Sequence, residues 1–273
     1  MKIKFSFFGL LIAALVICIG LSAEAAPVGT DWNTQKITVI GTGIPTTGTY
    51  GAQARIMARL AAKADAYRQL AEIVQGVQVD ANTTVEMAMV KSETVKLSVN
   101  AVIRGAKIVA ENVTSDGAYE VTMELPIFGA SGGLAETVLE RPTYVEPFPE
   151  PQTQRIETTV TVKVSGGYTG LIIDCRGFRL NPVMSPVIKN ARGEKIYGHK
   201  NLDYDKVIEY GMATYADNMN QAYRAGSNPL VITAINVEDF NANPVVSMQD
   251  AERILSENQI SKFLEDTAVV FLY

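Results

Sequence analysis

Residues 36–74 read KITVIGTG, then IPTTGTYG, then AQARIMARLAAKADAYRQLAEIV, and the reading of this stretch decides the fold class. In the first segment β-branched residues run up to Gly41-Thr42-Gly43, which predicts a strand ending in a glycine turn. In the third, Ile56, Leu60, Ala64, Tyr67, Leu70 and Val74 recur at spacings of three and four, predicting one apolar stripe along a long helix. Arg55, Arg59, Lys63, Arg68 and Gln69 take most of the remainder, and Gly76 stops the helix. A phosphate-binding loop would need a lysine, or a third glycine opening the helix, and neither is present at the right spacing. A plain turn into a helix is the expectation.

Further along, 77–90 is ambiguous, because Val77, Val79 and Thr83–Val85 favour strand while Glu86–Met89 favour helix. Residues 92–102 read as a shorter helix. Residues 106–114 and 118–127 alternate as two strands around Ser115-Asp116-Gly117, a hairpin turn. An antiparallel sheet covered by the long helix buries both apolar faces. A short helix is expected at 134–139, followed by Pro142, Pro147, Pro149 and Pro151, which deny donors to a sheet and interrupt helices. We read 141–154 as an extended linker between an N-terminal α+β domain (26–140) and a second α+β domain (155–273).

The second block opens with an alternating run at 156–164 and a strand at 169–175. Residues 187–197 predict a hairpin around Asn190–Gly193. A helix is expected over 204–225, burying Val207, Tyr210, Met212, Ala213, Tyr215 and Met219. A buried strand at 229–237, a helix capped by Ser247 and a strand at 268–273 complete it.

The start of the chain reads as an address. Lys2 and Lys4 precede an apolar run from Phe5 to Leu21, then Ser22-Ala23-Glu24-Ala25-Ala26, the secretory pattern with small residues at the cleavage positions. Ala23 and Ala25 fit those positions and place cleavage after Ala25, giving residues 1–25 as a signal peptide; cleavage after Ala26 would leave Pro27 first. A retained membrane anchor is the alternative. Cys18 follows bulky Ile17 and is followed by more apolar sequence, so it makes no convincing lipobox. Loss of the leader moves the formal charge from -5 to -6 and leaves Cys175 as the single cysteine, without an internal disulfide partner.

Composition narrows the function. With 47% hydrophobic residues the chain can build a real core, and its acidic balance argues against nucleic-acid binding. Two cysteines and one histidine make a zinc ribbon or most metal and acid–base constellations hard to assemble. His199 is expected as a solvated loop residue and Cys175 as a buried thiol in a strand. The pairs Asp203/Asp205 and Glu238/Asp239 suit helix capping and solvated turns. No catalytic residue, cofactor site or metal site is expected. Asp174, Arg176 and Arg179 form the most charged local feature in a strand-like setting, emerging as a buried strand leaves the core. They are read either as a grip on an anionic group or as an Asp–Arg pair fixing the loop, and the second is favoured.

The stretch Ala54–Leu70, then Ile73-Val74-Gln75-Gly76-Val77, resembles the helix of the Lpp-twenty-type bacterial lipoprotein domain. Val102-Ile103-Arg104-Gly105-Ala106, Tyr119–Met123 and Leu125-Pro126-Ile127 extend the resemblance over about 36–139. Gly170–Asp174 and Lys195–Gly198 resemble a C-terminal region of longer members. The resemblance implies a helix-on-sheet domain at the Gram-negative envelope without a known catalytic role. Some relatives are membrane-associated lipoproteins, and others are flagellar outer-membrane or motor-associated proteins that assemble into rings. The expectation is thus an exported, non-enzymatic periplasmic or outer-membrane-associated protein acting on envelope proteins or on itself. The alternative is a periplasmic binding module for a small anionic or lipid-like ligand.

Overall fold

The computed structural model describes residues 28–129, 132–151 and 165–273. The leader, Cys18, Ala23, Ala25 and Ala26, the end of the linker and the whole alternating run at 156–164 lie outside the described residues.

The N-terminal unit is a four-stranded antiparallel sheet. Strands β1 (Gly29–Asp31), β2 (Lys36–Gly43), β3 (Lys107–Val113) and β4 (Tyr119–Pro126) lie in the order β1-β2-β4-β3. The β2–β4 register pairs Ile37 with Leu125, Val39 with Met123 and Gly41 with Val121, which puts the apolar set of both strands on one face. Helix α1 (Gly51–Gly76) lies on that face, with α2 (Val85–Lys91) and α3 (Glu93–Arg104) beside it. Thr84 and Ser92 cap α2 and α3 by accepting the backbone N–H groups of Met87 and Val95.

The face of α1 that meets the sheet differs from the expected stripe. Ala58, Ala62, Ala66, Leu70 and Val74 are buried, one every fourth residue, whereas Ile56 and Leu60 remain 59% and 55% exposed. The reason sits in β2. Gly41 and Gly43 continue the strand rather than forming a turn, and a Cβ on either would overlap the carbonyl oxygens of Ala62 or Ala58. With no Cβ on the strand and only methyl groups on the helix, the two backbones touch. Polar bonds lock the contact: Asp65 accepts the Thr42 N–H at 3.1 Å, and Gln69 donates to the Ile40 carbonyl at 2.9 Å. Farther along α1, Leu70 and Val74 replace the alanines, each contributing about 1.5–3 kcal/mol of burial.

After a short helix α4 (Ala135–Val138), residues 140–151 contain no helix or strand and lie against the second unit. Phe148 stacks on Tyr197, with ring centroids 6.2 Å apart, and the Glu146 N–H donates to the Lys200 carbonyl.

The C-terminal unit holds two sheets. In the first, β10 (Asn236–Glu238), β11 (Asn243–Val246), β6 (Ile188–Asn190) and β7 (Lys195–Tyr197) are neighbours in that order. The second is wholly parallel, in the order β8-β12-β5-β9: β8 (Thr214–Ala216), β12 (Val269–Leu272), β5 (Gly170–Asp174) and β9 (Pro229–Thr233). Both faces of its central strands are covered, as parallel sheets require. Leu171, Ile173, Val269 and Phe271 join the main core, while Ile172, Val270 and Leu272 pack with Ala216, Ala222 and Ala225 behind. Helix α6 (Met248–Ser261) starts at Ser247, whose hydroxyl accepts the Asp250 N–H.

The expected helix at 204–225 is a shorter helix followed by a strand. Helix α5 (Tyr204–Tyr210) stops at Gly211, whose φ of 75° is open to glycine and hostile to other residues. The guanidinium of Arg224 donates to the carbonyls of both Tyr210 and Gly211, placing a cation at the negative end of the helix. The chain then turns into β8 beside β12, so Met212, Ala213 and Tyr215 are buried as strand and loop residues, whereas Tyr210 and Met219 are exposed.

Candidate interaction surfaces

Asp174 ends β5 at the carboxyl edge of the parallel sheet. Arg176 folds back on it through two side-chain bonds, Nε to Oδ1 at 2.9 Å and Nη2 to Oδ2 at 2.6 Å, and its backbone N–H adds a third. The guanidinium holds the Asp174 carboxyl below its usual range. Two of the three expected binding residues therefore come together and satisfy each other, while Arg179 is exposed and outside the pair. Cys175 between them is fully buried, and burial pushes its thiol up to about 12.

His199 departs from its expected place. It is half-buried beside Tyr204, its Nε2 is buried without a hydrogen-bond partner, and burial lowers its pKa. The Tyr197–Gly198 strand end and the turn His199–Asn201 carry it inward rather than into solvent. Asp203 caps α5 by accepting the Lys206 N–H, and Asp205 pairs with Arg141 at 2.5 Å. Glu238 and Asp239 both meet Lys189, at 3.1 and 2.6 Å. Among the described residues, no group of three or more His, Cys, Asp or Glu side chains is placed to hold a metal ion.

Two surfaces stand out among the described residues. One is the outer face of the first half of α1, where Ile56, Met57 and Leu60 are exposed, with Ile44 and Tyr50 also exposed in the loop before it. Ile56, Met57 and Leu60 lie within about one helical turn of each other, and clustered exposed apolar side chains mark contact surfaces.

The other lies where the units meet. Asn33 donates to the carbonyls of Tyr215 and Gln221, Gln35 donates to that of Ala213, and Trp32 meets Tyr215 edge-on at 5.7 Å. From the second unit, the N–H groups of Met184 and Ser185 donate to Gln78 and Val79. The buried core runs unbroken through both units. Along this junction lie two adjoining hollows of about 260 and 370 Å³, sharing Gln78 and Pro182. Trp32 and Glu72 line the first; Asp80, Asn181 and Phe240 line the second. The contributing segments are far apart in sequence, so no local pattern announces them. One signal was available: an aromatic residue inside the polar run Glu238-Asp239-Phe240-Asn241-Ala242-Asn243.

Residues 33–126 match the LPP20 lipoprotein family. The match opens in the β1–β2 turn and closes on the last residue of β4, so it covers the helix-on-sheet unit. Residues 170–273 match a second family, described as Treponema pallidum Tp0624, second domain. That match opens on the first residue of β5 and takes in both sheets of the C-terminal unit. No curated protein matches the chain. The LPP20-like unit and the Tp0624-like unit thus meet at the junction just described, and residues between the two matches help to join them: the Gly129 N–H donates to Ile208, and Tyr204 donates to the Leu139 carbonyl. A lipoprotein family points to the cell envelope. Among the described residues, no helix is long and apolar enough to cross a membrane.

Proposed function

We propose that this is an exported, non-enzymatic cell-envelope protein working through protein–protein contacts, as an accessory or scaffold of an envelope assembly such as that around the flagellar base. The observation that carries the reading is the outer face of α1. A helix that already buries an alanine face against its own sheet keeps Ile56, Met57 and Leu60 in solvent on another side. Exposing these residues has no benefit to the isolated fold, and covering them in a complex removes apolar surface from water. The LPP20 match supports an envelope address. The secretory pattern at residues 1–25 supports a periplasmic destination, outer-membrane association included, and Cys18 makes no convincing lipobox.

The test is site-specific photo-crosslinking in intact cells from position 57, which is exposed beside Ile56 and Leu60. Discrete higher-mass adducts are expected, and they should disappear in an Ile56→Glu/Leu60→Glu variant whose circular dichroism is unchanged. A chain that stays monomeric and without adducts would overturn the reading. Mass spectrometry of the fractionated protein checks the address, with an unmodified N-terminus at Ala26 expected.

A further inference from the structure

The second hollow at the junction is edged by an unusual turn. Asp239, Phe240 and Asn241 all have left-handed backbone, with φ of 52°, 57° and 64°. Asp and Asn tolerate this region, but a bulky aromatic residue does not. The turn is held from several sides. Asn181 donates its side-chain N–H to the Phe240 carbonyl at 2.8 Å and its backbone N–H to the Asn241 carbonyl at 2.7 Å. Asn243 donates to the Asp239 carboxylate at 2.6 Å, and Lys189 bridges Asp239 and Glu238. All this fixes a phenyl ring that is 76% exposed. A strained residue held rigidly, with its side chain in water, has gained nothing for the fold, and strain of this kind collects where a protein binds.

The charged residues that line the groove have one sign. Glu72 is the charged residue lining the first hollow and Asp80 the one lining the second. The flanking cations are each shared by two carboxylates: Arg68 by Asp65 and Glu72, Lys189 by Glu238 and Asp239. Negative charge therefore remains along the groove, and Arg179, two residues before Asn181, does not line it. The Gln78 side-chain amide is suited to a peptide backbone, while Pro182, Val183 and Ala242 give an apolar floor. From these features we infer that the groove between the LPP20-like and Tp0624-like units receives an extended, cationic segment of a partner protein, with Phe240 as its apolar anchor. The inference rests on the reading that the protein works through protein contacts, but it uses a surface separate from α1.

The probe is a library of random twelve-residue peptides displayed on phage and selected on the immobilised full chain. Enriched sequences should carry net positive charge and an apolar residue, and synthetic copies should bind more weakly as salt rises. Binding should fall at least about tenfold in Phe240→Gly and in Glu72→Gln/Asp80→Asn, since a tenfold loss is the scale of one lost anchor contact. Phe240→Gly also separates roles: glycine relieves the left-handed strain, so its unfolding midpoint should rise while binding is lost. A lower midpoint would mean that Phe240 serves the fold, and would overturn the inference. So would neutral or acidic winners, a failure to enrich any peptide, or peptides that bind the variants as tightly as the parent. Ile56→Glu/Leu60→Glu should leave peptide binding unchanged. Failure at the groove with α1 adducts intact therefore refutes this inference alone, and absent adducts with groove binding intact refute only the α1 reading.

Discussion

In the LPP20-like unit, Gly41 and Gly43 bring a strand onto the backbone of a helix whose contact face there is alanine. In the Tp0624-like unit, Leu171, Ile173, Val269 and Phe271 fill one side of a parallel sheet and Ile172, Val270 and Leu272 the other. The first contact is made by the absence of side chains and the second by their bulk. It follows that the N-terminal unit is intolerant of added atoms and the C-terminal unit of removed ones. Both belong to one continuous core, so damage to either is felt across the junction.

The largest effect is expected from Phe271→Ala, which empties the middle of the parallel sheet and should cost about 3–5 kcal/mol in urea unfolding. A loss below about 1 kcal/mol would show that the site collapses around the gap and would break the contrast. Gly41→Ala adds one methyl group where the Ala62 carbonyl already lies, and should cost about 3 kcal/mol, the upper part of the range for overpacking. Because the core is continuous, both substitutions should lower one common transition, read by tyrosine fluorescence and by circular dichroism. Two separated transitions would mean that the junction is weaker than its hydrogen bonds suggest.

A smaller effect is expected at His199, the sole histidine. Its folded pKa lies below the ordinary value of about 6.5, so above that pH both states are neutral and nothing is gained or lost. As pH falls below about 6.5 the unfolded chain takes up the proton first, and stability declines until the folded pKa is passed. Unfolding midpoints measured from pH 7 to 5 should fall less steeply in His199→Gln. An unchanged slope would assign the acid sensitivity to carboxylates instead. The smallest effect belongs to Ile56→Ser, expected within about 0.5 kcal/mol because the side chain touches solvent and not the sheet. A larger loss would make the two faces of α1 alike and remove the basis for a contact surface there.

Much of this architecture can be read from local chemistry. The alternation of residues 106–127 around Asp116-Gly117 gave the hairpin, and Ser247 and Asp203 announced their helices as caps. Where the sequence misled, size stood in for position. Ile56 and Leu60 look like a core stripe because they are large, yet the better signal was Ala58, Ala62 and Ala66 at fourfold spacing opposite two glycines two residues apart. Residues 207–219 imitate a helical period because a short helix, a turn and a buried strand follow one another; Gly211 was the mark of the break. The Asp174–Arg176 pair was legible, since two charges two residues apart at a strand end readily meet. The junction groove was not, because it is assembled from residues near 30, 72–82, 181 and 240 that meet only after both units have docked.

The position of β12 has a consequence in time. Val269 pairs with Leu171 and Val270 with Thr214, so the innermost strand of the parallel sheet comes from residues 269–272, whereas its neighbours β5 and β8 are made much earlier. The LPP20-like sheet is complete once residue 126 has been synthesised. β5 and β8 must wait, with apolar edges open, until their common partner emerges. Pairing over such a sequence distance is slow, and waiting strands are prone to aggregate. Until residues 269–272 emerge, one unit can form while the other cannot close, which is when a holding chaperone would matter most.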